Sequence, residues 1–142
     1  MARGFFVRNE KDLPFADWIA DGVKRTETRN RRTLDAVTVD RYLNGWGYPN
    51  PAYIIRTESG KRPVVIGKCF LSMPYWCPAE RFQTIGVWAA HRVPAGSKYD
   101  AKPGKGKWIY DIWDAERITP FELPEDAVRH GRVWAEFGIK EA

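Results

Sequence analysis

The stretch Gly22-Val23-Lys24-Arg25-Thr26-Glu27-Thr28-Arg29 holds the residue types and spacing in this 142-residue chain that could do chemistry. A glycine is followed by a cation, an acid and a second cation in the pattern G-x-K-x-x-E-x-R. Glu27 and Arg29 are two residues apart and share a face on any strand, whereas Lys24 would point the other way. Lys24 stands where the strand begins, however, and the turn after Gly22 can redirect it. Aimed into a concavity, the carboxylate can accept from the exocyclic amine of a base, and the guanidinium can stack on a ring or fork onto phosphate. In a hydrolytic site Lys24 would stabilise developing negative charge and Glu27 would act as general base. The same spacing also suits a surface ion pair of little worth, or a cation covering the end of a barrel. Spacing alone leaves these open.

The charge around the motif suits either a phosphate-bearing partner or a solvated face. The chain carries 23 Lys+Arg against 18 Asp+Glu. Residues 1–71 hold 13 and 8 of these, while residues 72–142 hold 10 and 10. Residues 22–32 alone carry +4, with Arg31 and Arg32 extending the motif. A basic stripe is the footprint of a nucleic-acid or nucleotide ligand, although a solvated surface gives the same pattern. Lys98, Lys102, Lys105 and Lys107 form a second basic cluster, and between Asp111 and Asp126 six acids face Arg117 alone.

Other chemistries find little support. Gly96-Ser97-Lys98 and Gly104-Lys105-Gly106-Lys107 are fragments of a phosphate loop, and neither completes GxxxxGK[ST]. His91 and His130 lack ligand spacing, and His91 reads as a satisfied core or rim histidine. Cys69 and Cys77 form no CxxC and no disulfide framework, and Cys69 reads as a small buried apolar residue. No metal or cofactor is called for.

These residues need elements to position them. Residues 4–8 read as a buried strand. Residues 14–22 read as a short helix, with Pro14 in its first turn, Phe15, Trp18 and Ile19 on one face, and Gly22 closing it. Residues 24–29 read as a strand around Thr26 and Thr28. Residues 34–48 are ambiguous, and Trp46 and Tyr48 suggest an aromatic loop able to stack on bases. Strands are expected at 52–57 and 64–73 around a turn at Ser59-Gly60-Lys61, helix within 78–92, one or two strands at 107–123, and a last strand at 133–137. Residues 94–107, with three glycines and two prolines, predict a mobile flap. The fold class is α+β, and a small closed barrel would remove exposed sheet edges.

The segment from Leu13 through Arg29, a Pro-aromatic-Ala helix followed by G-x-K-x-x-E-x-R, resembles the ASCH domain of the PUA-like superfamily. Val65-Ile66-Gly67-Lys68, Lys107-Trp108-Ile109-Tyr110-Asp111 and Ile118-Thr119-Pro120-Phe121 resemble later blocks of the same pattern in the same order. The resemblance implies a PUA-like barrel of five or six strands with two or more short helices and a cleft above the central strands. It also implies a link to RNA and modified nucleosides. Some small members resemble amidohydrolases acting on N4-acylated cytidine, and others act as ribonucleases. In the amidohydrolase pattern the motif lysine, matched by Lys24, is catalytic and a threonine stands three residues later. Here that position is Glu27, flanked by Thr26 and Thr28, and Glu80 is the nearest candidate for a downstream glutamate.

The expectation is therefore one ASCH/PUA-like domain over residues 1–142 that binds RNA or a nucleoside or nucleotide. Lys24, Arg29, Arg31 and Arg32 would contact phosphate and Glu27 a base edge. The alternative is a small hydrolase acting on RNA or on N4-acylated cytidine through Lys24 and Glu27. No run approaches the ~20 apolar residues of a membrane span, and the N-terminus lacks a signal-peptide core, so a cytoplasmic protein without a membrane partner is expected. A monomer is the expected state.

Overall fold

The computed structural model describes residues 1–38 and 50–139. Trp46 and Tyr48, expected as stacking aromatics, lie outside the described residues. In chain order the elements are β1 (Ala2–Glu10), β2 (Leu13–Pro14), α1 (Phe15–Ala20), β3 (Thr26–Arg29), α2 (Asp35–Thr38), β4 (Asn50–Thr57) and β5 (Val64–Leu71). There follow β6 (Tyr75–Pro78), α3 (Ala79–Phe82), α4 (Ile85–His91), β7 (Gly106–Glu122), β8 (Val128–His130) and β9 (Trp134–Phe137). The α+β expectation holds. The one or two strands expected at 107–123 are the single long strand β7, and β6 and β8 are short strands that periodicity did not predict.

The strands form one sheet in the order β3-β7-β5-β4-β1-β9-β8, with β2 paired to β1 and β6 to β7. β1 and β4 run parallel, and the other pairs are antiparallel. Side chains alternate across this sheet into two cores. Phe5, Val7, Ile54, Ile66 and Leu71 enter the larger one with Phe15 and Ile19 of α1, while Phe6, Ile55, Val65 and Phe137 enter the smaller. The period of two along β1 thus fills both faces, as a strand buried on both sides requires.

The expected barrel of five or six strands is not seen as a closed ring among the described residues. The sheet curls instead, and a side chain crosses where a backbone ladder would close. Arg29 of β3 donates to the Phe6 carbonyl of β1 over 2.8 Å, although β7, β5 and β4 separate these two strands in the sheet order. β3 is only four residues long and, among the described residues, pairs with β7 alone, so the opening between β3 and β1 remains a cleft.

The turn that aims Lys24 follows from Gly22. Helix α1 ends at Asp21, and Gly22 takes φ +79°. Gly22 N–H donates to Ile19 O (3.1 Å) and Val23 N–H to Trp18 O (2.8 Å). This pair of bonds is the Schellman closure, which needs a left-handed residue and therefore favours glycine. Lys24 N–H also donates to Trp18 O (3.0 Å), so the chain leaves the helix on a fixed heading two residues before β3. No helix among the described residues is long and apolar enough to cross a membrane.

Candidate functional site: a basic cleft

A cleft of about 840 Å³ lies over the β1–β3 opening. Lys24, Glu27 and Arg29 line it together, as the motif's spacing allowed. Lys24 is almost fully buried, with 1% of its surface exposed. Its ammonium donates to the His91 carbonyl over 2.6 Å, stands 4.0 Å from Glu27 Oε1, and lies 4.9 Å from the centre of the Phe15 ring. Burial pulls its pKa down to about 8; Glu27 opposes that shift and Arg29 adds to it. Glu27, also buried, accepts from the Thr28 N–H at Oε1 (3.0 Å) and from Arg29 at Oε2 (3.3 Å).

Lys107, at the start of β7, is a second buried lysine in the same cleft. Burial lowers its pKa, while Asp100 and Glu27 at longer range pull it upward. It makes no ion pair among the described residues. Lys24 and Lys107 are thus two buried lysines against Glu27, the one buried carboxylate among the described residues. Around them the cleft is lined by eight basic residues (Arg8, Lys24, Arg29, Lys61, Lys98, Lys107, Arg129 and Arg132) and by two acids, Glu27 and Glu58. Phe6, Phe15 and Tyr99 supply apolar wall, with the Phe15 and Tyr99 rings edge to face at 5.4 Å.

His91 supports this wall from behind. Its Nε2 lies 2.6 Å from the Phe82 carbonyl, its Nδ1 accepts the Val93 N–H over 2.8 Å, and its ring stacks on Phe82 at 4.0 Å. Those partners fix the neutral tautomer with the proton on Nε2, and burial lowers its pKa. It is the satisfied core histidine expected from the sequence. Cys69 is equally inert, buried with its thiol pushed up to about 12 by desolvation.

Where glycine and proline content predicts a mobile flap at 94–107, the structure shows a loop wound around Asp100. Its carboxylate accepts the N–H groups of Gly96 and Ala101 (both 2.8 Å) and the Gln83 amide (3.0 Å). Lys98 is tied to Glu10 at 2.7 Å. The loop is thereby held so that Lys98, Tyr99 and Lys107 face the cleft.

Two of the expected contacts stand elsewhere. Neither Arg31 nor Arg32 lines the cleft. Arg31 is exposed, and Arg32 pairs with Asp35 at 2.7 Å and covers the Trp108 ring at 5.2 Å. Glu80 is exposed on α3 and outside the cleft. Thr26 faces away from Glu27, its Oγ1 buried without a hydrogen-bond partner among the described residues; Thr28 does reach the lining. The sequence reading missed Lys107, Arg8, Arg129 and Arg132 as site residues. Lys107 carried a faint signal as the last of the four clustered lysines at the head of a strand, but the arginines come from distant segments that no local spacing connects.

Comparison with solved structures identifies the architecture. Three crystal structures of the ASCH protein from Zymomonas mobilis, one unaltered and two with single substitutions, superpose on this chain with TM-scores of 0.53 to 0.57. Each covers 84% of this chain, and this chain covers 73–76% of each, at 15–17% identity. The fold is that of the ASCH domain. No family model matches the sequence and no curated protein is significantly similar to it. The ASCH likeness therefore describes the architecture that frames the cleft, and the chemistry rests on the residues within it.

Proposed function

We propose that this ASCH-fold chain binds a nucleotide, or one nucleotide of a single-stranded RNA, in the basic cleft. The observation that carries this reading is the surplus of buried positive charge. Lys24 and Lys107 are two buried cations against Glu27, the one buried carboxylate among the described residues. Lys24 and half-buried Arg29 already lean on Glu27, and Lys107 makes no ion pair among the described residues. Such an excess of desolvated positive charge is costly until an anion arrives. Phosphate meets that need, and Arg8, Lys61, Arg129 and Arg132 at the margins extend the attraction. The Phe15 and Tyr99 wall suits the face of a base, and a free lone pair of Glu27 suits an exocyclic amine.

A second reading, hydrolysis of an RNA phosphodiester or of an N4-acyl amide on cytosine, draws on Lys24. With a pKa near 8, a fraction of its amine is neutral at neutral pH, beside a carboxylate able to take a proton from water. Thr26 contributes nothing to that site, because its hydroxyl is buried on the opposite face. The experiment is incubation of the protein with a panel of RNAs and modified nucleosides, reading retained ligand and product together by mass spectrometry. Retention without product is expected. Product formation that is lost in Glu27→Gln while binding persists would replace the binding reading with the hydrolytic one, and the absence of both retained ligand and product would overturn both readings.

A further inference from the structure

Beside the cleft, three strands carry a row of side chains that the proposed nucleotide position does not use. Arg29 of β3 is in register with Trp108 of β7, and Trp108 with Trp76 of β6. Residues directly opposite one another across strands share a face. The two indoles therefore stand on the face that carries Arg29. Their rings meet edge to face at 5.3 Å, and Arg32, held by Asp35, covers Trp108.

Trp76 is 48% exposed yet firmly seated. A Cβ at Gly106 would come within 2.6 Å of its Cζ2 and 2.3 Å of the Cys77 carbonyl. Only glycine lets the indole lie so close to the β7 backbone. The indole is thereby seated against the β7 backbone while about half of the residue stays exposed, as a stacking platform would require and a core residue would not.

We propose that the Trp76–Trp108 ledge binds the base next to the nucleotide held in the cleft, so that the ligand is a single-stranded oligonucleotide and not a free nucleoside. This rests on the nucleotide reading of the cleft. One inter-strand spacing, about 4.8 Å, separates the strand of Arg29 at the cleft's edge from that of Trp108, and two, about 9.5 Å, from that of Trp76, so the ledge begins where the cleft ends. Arg31, exposed and two residues past Arg29, and Arg32 place positive charge beside the ledge for the linking phosphate. Stacking on an indole is tolerant of base identity, so the ledge adds affinity and length preference and leaves base choice to the cleft.

The test is calorimetric titration of the full chain with adenosine 5′-monophosphate and with a tetra-adenylate RNA. The tetramer is expected to bind more tightly. Trp76→Ala should weaken the tetramer roughly 5- to 150-fold, Trp76→Phe should retain most of the affinity, and neither should change binding of the monophosphate. The monophosphate also serves as the check that each variant is folded. Tetramer affinity unchanged in Trp76→Ala, a parallel loss for both ligands, or a wild-type tetramer no tighter than the monophosphate would overturn the ledge and leave the cleft standing. Failure of wild-type protein to bind either ligand would overturn the cleft reading and the ledge together.

Discussion

Replacing Lys24 with methionine should stabilise the protein near neutral pH while removing ligand binding. Burial lowers the lysine pKa from 10.5 to about 8. The folded state therefore holds fewer protons than the unfolded state between those values, and stability falls as pH drops from 10.5 to 8, then levels off. A shift of that size corresponds to about 3 kcal/mol. Lys24→Met abolishes the dependence, while leaving the His91 carbonyl without its 2.6 Å donor at a pH-independent cost of about 1 kcal/mol. The expected outcome is a variant about 2 kcal/mol more stable than wild type at pH 7.5 and slightly less stable at pH 10.5. Urea unfolding of both proteins across that range measures it, and the difference between the two curves cancels other titrating groups, Lys107 included. A stability difference that does not move with pH would refute the claim that Lys24 is held desolvated. In the same account, an anion in the cleft raises the Lys24 pKa, so ligand affinity should fall as pH rises through 8.

Other substitutions probe separate parts of the account. Glu27→Gln keeps an acceptor and adds donors, so binding should change by roughly 1–3 kcal/mol and base preference should shift, measured by competition among the four nucleoside monophosphates. Thr26→Ala should leave binding unchanged and stability within about 1 kcal/mol by denaturant unfolding, because its hydroxyl is buried without a partner among the described residues. Asp100→Ala removes the acceptor of three hydrogen bonds. It should cost roughly 1–3 kcal/mol and release the 94–107 amides to fast hydrogen exchange, whereas the wild-type loop should be protected at Gly96 and Ala101.

What was legible in the sequence is what is decided locally. The Phe15–Ile19 face of α1 and its closure at Gly22 follow from spacing and one left-handed residue, and they carry Lys24 into the cleft. Apolar runs in β1, β4 and β5 and alternation along β7 located the main strands. β6 and β8 escaped because neither alternates: Tyr75 and Trp76 of β6 are both exposed, and β8 is exposed throughout. The closed barrel expected from the resemblance depends on whether the ends of the sheet meet, and here Arg29 bridges to Phe6 in place of a ladder. The basic run divides in space. Its charge is contiguous along the chain, but Arg32 turns onto Trp108, whereas the cleft gathers Arg8, Lys107, Arg129 and Arg132 from across the fold. A glycine- and proline-rich composition predicts a mobile loop and carries no sign of the three hydrogen bonds that Asp100 accepts.

The central claim is that this cleft binds the phosphate of a nucleic acid, and its salt dependence tests that most directly. Fluorescence anisotropy of a labelled single-stranded RNA should be followed through a tenfold range of salt. With roughly four phosphates neutralised on a single strand, log K should fall against log salt with a slope near −3. Lys107→Ala should make that slope shallower by about 0.7. Affinity that is flat across the range, or no binding at the lowest salt, would contradict the account.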